Sequence, residues 1–179
     1  MKNIIVLNGS PHKNGNTSAL LKAFLSGLKK GKKLTVTQFD AYALRVAPIL
    51  ASDFSGKKEK KDDMQSVLPK ILAADLIVLA TPLYYWGMSA QLKLVWERLF
   101  GTDYKLFKGK RLAILATGGG EDKKDSGADL IEAQYKNICA FMGMRFVGLC
   151  FASSEKQPVS KNKKALATAQ ALGKKAGKW

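Results

Sequence analysis

Four short, nearly continuous apolar runs punctuate the chain: Asn3 to Leu7 (NIIVL), Asp75 to Ala80 (DLIVLA), Arg111 to Ala116 (RLAILA) and Arg145 to Phe151 (RFVGLCF). Each is bounded by turn signals, and runs of this kind predict strands buried on both faces of a parallel sheet. A fifth run, Leu34 to Phe39 (LTVTQF), partly alternates and reads as an edge strand. Between the runs, apolar residues recur every three or four positions. Leu21, Leu25 and Leu28 form one such set, Met88, Leu92, Val95 and Leu99 another, and Ile131, Tyr135, Ile138 and Met142 a third. Each set predicts a helix with one buried face. A last helix follows Pro158, with Ala165, Leu166, Ala169 and Leu172 inward, and another is expected from about Asp62 to Leu72. Pro69 sits inside that one and should kink or split it.

Strict alternation of five strands and five helices implies an α/β domain: a doubly wound, five-stranded parallel sheet with right-handed crossovers and helices on both faces. With Leu34 to Phe39 at the edge, the strand order is 2-1-3-4-5. A ligand crevice then opens at the carboxyl ends of the first and third strands, where the winding direction reverses. Three loops arrive there: Gly9 to Asn16, Thr81 to Gly87 and Thr117 to Gly120. Residues 1–179 are read as a single domain. The connection from Ala41 to Lys61 is long for such a domain and is expected to be a functional or mobile segment.

The first loop belongs to the stretch GSPHKNGNTSAL, Gly9 to Leu20, which leads from a strand into a helix. It is neither GxxxxGK[ST] nor GxGxxG, which argues against an NTP-binding loop and a dinucleotide turn. Ser10, Asn14, Asn16, Thr17 and Ser18 supply neutral donors beside the positive end of a helix, an inventory suited to a monophosphate ester. The same residues also suit a simple cap, with Asn16 or Thr17 closing the helix and Gly15 making the turn. The second loop, TPLYYWG, gathers Tyr84, Tyr85 and Trp86 behind Pro82. Large flat side chains there suit a planar ring, although at least one is expected to pack as core under the following helix. The third, Thr117 to Gly120 (TGGG), lets the backbone approach a ligand closely or simply turn. Phosphate donors at one end and flat rings at the other point together to a mononucleotide such as FMN.

Composition narrows the class without choosing the ligand. An apolar content of 46% in 179 residues supports a full core, and no segment approaches a membrane span. The opening MKNIIVLNG is too short in its apolar run to be a signal peptide, so the expected location is cytoplasmic. Cys139 and Cys150 lie in apolar contexts without metal-like spacing and read as buried hydrophobes. The net charge of +16 raises the question of nucleic acid. Lysine pairs are scattered along the chain, however, and arginine occurs only at positions 45, 98, 111 and 145. A solvated lysine surface that steers anionic ligands is the favoured reading, with neither a nucleic-acid nor a membrane partner.

The loop GSPHKNGNTSAL, followed by KDDMQSVLPKILAADLIVLATPLYYWGMSAQLKLVWERLF and then TGGG, resembles the NADPH-dependent FMN reductase and iron-sulfur flavoprotein group of flavodoxin-like proteins. The resemblance implies that Ser10, Asn16, Thr17 and Ser18, with His12 nearby, hold the FMN phosphate. It implies that Pro82, Leu83, Tyr84, Tyr85 and Trp86 meet the isoalloxazine ring, and that Thr117, Gly118, Gly119 and Gly120 complete the pocket. It further implies NADPH or NADH as hydride donor, a small-molecule electron acceptor and a homodimer. The flavin would carry the chemistry, so no catalytic acid/base pair is expected. Two departures stand out. His12 occupies a place where members of the group often have arginine. Pro48 is followed by Ile49 with no cysteine before Cys139, so no iron-sulfur cluster is expected between Val46 and Met64. The competing classes are a flavodoxin-like electron carrier, usually acidic, and a flavin-free domain that binds nucleic acid through its basic surface.

Overall fold

The structure, a computed structural model, describes residues 1–29, 33–50 and 61–179. β1 (Lys2–Asn8) pairs in parallel with β2 (Leu34–Asp40) on one side and with β3 (Leu76–Tyr84) on the other. Beyond β3 lie β5 (Arg111–Gly118) and β6 (Arg145–Ser153), also parallel, giving the order β2-β1-β3-β5-β6. The five long strands therefore follow the order expected from the sequence. A sixth, β4 (Gly87–Met88), was not expected; it folds back antiparallel on the end of β3, with Leu83 opposite Met88 and Tyr84 opposite Gly87.

Successive residues of the central strands divide between two cores, as a pleated sheet covered on both faces requires. Ile5, Leu7, Ile77, Leu79, Leu112 and Ile114 face α2 (Met64–Ala73), α3 (Ala90–Glu97) and α5 (Ala128–Phe141). Ile4, Val6, Leu76, Val78, Ala113 and Leu115 face α1 (Asn16–Lys29) and α6 (Lys163–Ala176). A one-turn helix, α4 (Lys123–Ser126), precedes α5. The helices α1 and α6 approach backbone to backbone. A Cβ on Gly27 would lie 2.0 Å from the Gln170 carbonyl oxygen, and one on Gly173 would lie 2.0 Å from that of Phe24. Of the residues expected inside α6, Ala165 and Ala169 are buried and Leu166 and Leu172 only partly so.

The expected break at Pro69 does not split α2, which runs from Met64 to Ala73 as one helix. Its buried face is Met64, Val67 and Ile71, while Pro69 is exposed, so the missing N–H falls on the solvent side. The helix is anchored at its start by Asp62. The Asp62 carboxylate accepts from the N–H groups of Ala47 and Met64 and pairs with Arg98 at the end of α3. Arg98 also donates to the Ala47 carbonyl at 3.0 Å. Burial alone raises the Asp62 carboxyl's pKa, but these hydrogen bonds and the Arg98 charge leave it below the usual carboxylate range. The first part of the long connection is thus tied down; residues 51–60 of it lie outside the described residues.

Part of the positive charge has a local explanation. Lys110 Nζ donates to the carbonyls of Leu72 and Ala74 at the end of α2, at 2.5 and 2.9 Å. Arg111 donates to the carbonyls of Lys175 and Lys178 at the end of α6. Lys2 and Arg111 also flank the Trp179 ring, at 5.1 and 5.4 Å from its centroid. Cations at helix carboxyl ends answer the negative end of the dipole. Cys139 and Cys150 are free and buried, and burial pushes both thiols up to about 11. Among the described residues no helix is long and apolar enough to cross a membrane.

Candidate functional site

The carboxyl ends of β1, β3 and β5 converge at the switch point, and short bonds fix each exit. Gly9 N–H donates to the Ala80 carbonyl at 2.7 Å, drawing the β1 loop against β3. A Cβ on Gly9 would sit 2.2 Å from Ser89 Oγ and 2.9 Å from Leu92 Cβ, so this approach requires glycine. Asn8 is buried; its Nδ2 donates to Asp40 at 2.9 Å and its Oδ1 accepts from Ser10 N–H at 3.2 Å. The loop then curls over the first turn of α1. His12 N–H donates to Ser10 Oγ at 3.3 Å, while the His12 carbonyl accepts from Gly15 N–H at 3.1 Å and from Ser18 Oγ at 3.3 Å. The His12 residue itself is exposed.

Two sequence-predicted residues have partners outside the loop. Asn16 Oδ1 accepts from Val159 N–H at 2.9 Å, tying the start of α1 to the segment before α6. Thr17 Oγ1 lies 2.8 Å from Thr117 Oγ1, and both residues are buried. That contact joins the first turn of α1 to the end of β5. A hydroxyl has one proton and two lone pairs, so Thr17 can accept from Thr117 while donating elsewhere.

On β3, buried Thr81 uses its hydroxyl twice, accepting from Ser89 N–H at 3.0 Å and donating to the Pro82 carbonyl at 2.8 Å. The strand continues to Tyr84 and reverses through Tyr85 and Trp86, whose φ angles are +47° and +59°. A two-residue hairpin loop with both residues left-handed is a type I′ turn, a conformation that favours asparagine and glycine. Holding two large non-glycine residues there costs about 1–3 kcal/mol each. The expectation that one of the three aromatics would be core is not met: Tyr84, Tyr85 and Trp86 are all exposed, Tyr85 to 96%. The hairpin carries them past the paired length of the sheet, and α3 contributes Leu92, Val95 and Trp96 to the core in their place.

Leu83 to Trp86 face Gly118 to Gly120 across a cavity of ≈ 370 Å³, closed on a third side by Asp125 and Ser126 of α4. A Cβ on Gly119 would meet nothing within 4 Å, whereas one on Gly120 would lie 2.8 Å from Ser126 N. Asn8, Ser89, Asp125 and Ser126 were not anticipated from sequence. For α4 a signal was present: Asp122 accepts from Lys124 and Asp125 N–H as an N-cap, and Gly127 follows the last residue with φ +78°. A larger apolar cavity of ≈ 620 Å³ lies between Trp96, Phe100, Tyr104, Phe141 and Met142. It sits at the carboxyl ends of α3 and α5, away from the three loops at the switch point, and its size alone does not make it a cofactor site.

Comparison with known proteins gives this geometry a family. A sequence model described as NADPH-dependent FMN reductase matches residues 2–158. The chain belongs to the NADPH-dependent FMN reductase family. It is accordingly an oxidoreductase of flavodoxin-like fold. The Bacillus subtilis (strain 168) protein YwqN, provisionally named an NAD(P)H-dependent FMN-containing oxidoreductase, is 28% identical over 96% of this chain and 97% of its own length. An FMN-dependent NADPH-azoreductase of Staphylococcus aureus is 34% identical over 67% of this chain and 62% of its own. The iron-sulfur flavoprotein of Archaeoglobus fulgidus is 31% identical over 65% and 62%. Among solved structures, the Trp repressor binding protein of Bacillus subtilis superposes with a TM-score of 0.68 at 28% identity, covering 94% of this chain and 98% of that one. An FMN-dependent NADH-azoreductase of Bacillus anthracis, in complex with FMN, gives 0.70 at 18% identity, with 99% and 98% covered. At that identity the likeness is one of fold.

The residues at the crevice fit FMN on this chain's own geometry. Hydroxyl donors and the amino end of a 14-residue helix lie at one end. At the other, a shallow cavity has aromatic residues on one wall and, at Gly119, a backbone whose missing side chain leaves open space.

Proposed function

We propose that the protein is an FMN-dependent NAD(P)H oxidoreductase, a single FMN-binding domain that delivers electrons to a small planar acceptor such as a quinone, a free flavin or a nitroaromatic compound. The observation that carries this reading is the pairing, across one switch point, of a helix amino end rich in hydroxyls with a ring-sized cavity between β3 and β5.

Ser10, Thr17, Ser18 and the first N–H groups of α1 hold the phosphate in this reading, with exposed His12 beside them. The Asn16 side chain acts one step back, fixing α1 against Val159. Pro82 to Trp86 and Thr117 to Gly120 receive the ring. Bound FMN supplies the redox chemistry, taking hydride from the nicotinamide and returning electrons to the acceptor. The chain's contribution is position, exclusion of water and backbone dipoles at the ring edge. The cavity is open to solvent beside the exposed Tyr84 and Trp86, so nicotinamide and acceptor would use the same space in turn. A second copy of the chain closing over this opening completes the pocket, and the cytoplasm supplies the nicotinamide.

Purified protein with FMN and NADPH or NADH should reduce a panel of quinones and nitroaromatics catalytically with no second protein present. Flavin reduction that occurs only through an added reductase would instead make the chain an electron carrier.

A further inference from the structure

Trp86 and Tyr85 share the strained turn but not its surroundings. Trp86 Nε1 donates to the Asp125 carbonyl at 2.9 Å, across 39 residues of sequence. Gly127, at the junction of α4 and α5, lies so close that a Cβ there would come 2.6 Å from Trp86 Cβ and 2.7 Å from Trp86 Cα. Asp125 and Ser126, the two residues before Gly127, line the same cavity as Leu83 to Trp86. The Asp125 carboxylate in turn accepts from Glu121 N–H at 2.9 Å, directly after the glycine run. The hairpin, α4 and the glycine loop are therefore joined through one indole.

We propose that Trp86 is a positioning residue: its indole latches the β3 hairpin to α4 and so sets the gap between the two walls of the ring cavity. Tyr84 and Tyr85 are left to present flat surface to whatever enters. The latch accounts for two features of the structure. The left-handed conformation at Trp86 persists because the indole hydrogen bond and the Gly127 contact hold it. The glycine loop, two of whose glycines meet little when a Cβ is added, keeps its shape because Asp125 and Ser126 are pinned from the far side. The latch itself is independent of any ligand; its effect on ring binding rests on the FMN reading above.

The test uses the full-length protein and two substitutions. Trp86→Phe keeps the ring and removes the N–H; Trp86→Ala removes both. In the flavin-free protein, hydrogen exchange at the amides of residues 121 and 125–127 should speed up about fivefold in Trp86→Phe, the size of one neutral hydrogen bond, and further in Trp86→Ala. Exchange in β1 and β3 should stay as in the parent. With flavin added, Trp86→Phe should weaken riboflavin and FMN by the same factor and leave competition by inorganic phosphate unchanged, because only the ring wall has moved. Unchanged exchange at 121–127 overturns the latch, and so does a rise spread over the whole sheet. Local loosening with riboflavin and FMN affinities unaltered removes the positioning role. If the parent protein binds neither flavin while the local exchange effect persists, the FMN reading fails and the latch stands.

Discussion

The two ends of the crevice are built in opposite ways. At the β1–α1 end, Asn8, Ser10, Thr17 and Ser18 are buried and bonded to neighbouring backbone or side chains, and Gly9 is pressed against Ser89. At the β3 end, three exposed aromatics stand on a two-residue turn in a conformation that large side chains avoid. The first end resembles a mould, held by the hydrogen bonds that cross-link its loop and the first turn of α1. The second is an outwork, a short β3–β4 hairpin tied to α4 by one indole hydrogen bond and one glycine contact. A monophosphate is always the same shape and profits from a fixed cradle. An oxidoreductase that must admit a nicotinamide and then an acceptor profits from an open, aromatic side.

The largest expected effect strikes the rigid end. Gly9→Ala inserts a methyl 2.2 Å from Ser89 Oγ and should destabilise the protein by about 1–3 kcal/mol, as overpacking does, with loss of FMN retention. Ser89→Ala in the same chain should restore part of the stability, measured by urea unfolding, because it removes the nearest atom. Full stability in Gly9→Ala alone would mean the β1 loop is not held as described. Next in size, the double substitution Thr17→Ala and Ser18→Ala should weaken FMN by about 0.5–1.5 kcal/mol for each neutral hydrogen bond lost. Equilibrium fluorescence titration reads this directly, and unaltered affinity would move the phosphate elsewhere.

At the open end the sign reverses. Tyr85→Asn suits the left-handed position and should raise stability by about 1 kcal/mol, seen as a higher Tm, since the turn no longer forces a large side chain into that region. A fall in Tm would show that the Tyr85 ring is held by contacts that outweigh the strain. An acid titration supplies a control away from both ends. Asp62 has a folded pKa below its unfolded value, so its contribution is present above the unfolded pKa of about 3.9 and is lost as pH falls through the lower, folded value. Asp62→Asn should flatten this part of the stability profile while leaving neutral-pH FMN affinity alone. The smallest effect is expected for Ser89→Ala by itself. Its buried Oγ has no hydrogen-bond partner among the described residues, so its removal should leave urea stability within about 0.5 kcal/mol of the parent.

How far each end could be read from sequence follows from the same contrast. Continuous apolar runs can bury both faces only in a covered parallel sheet, so Ile4 to Leu7, Leu76 to Ala80 and Leu112 to Ala116 declared the architecture and with it the switch point. The loop at Gly9 stood out as a strand-to-helix turn rich in hydroxyls, a pattern that suited a phosphate site and a simple helix cap alike. What periodicity could not carry was anything two residues long. The β4 pairing occupies Gly87 and Met88 only, and without it Tyr84 to Trp86 read as partly core. The tie from Asn16 Oδ1 to Val159 N–H was out of reach of local sequence because the two residues lie 143 positions apart. Asp125 and Ser126 reach the cavity through a one-turn helix too short for any repeat, although its capping aspartate and closing glycine were visible. Pro69 misled in the other direction, since a proline on the exposed face of a ten-residue helix sacrifices one solvent-facing bond and leaves the buried face intact.

The most direct test is the visible spectrum of the purified protein after FMN is added and the unbound excess removed, followed by NADPH or NADH in the absence of oxygen. An FMN-dependent NAD(P)H oxidoreductase should retain flavin in a one-to-one ratio with the chain and bleach on addition of at least one of the two nucleotides. A colourless protein, or bound flavin that stays yellow with both, would contradict it.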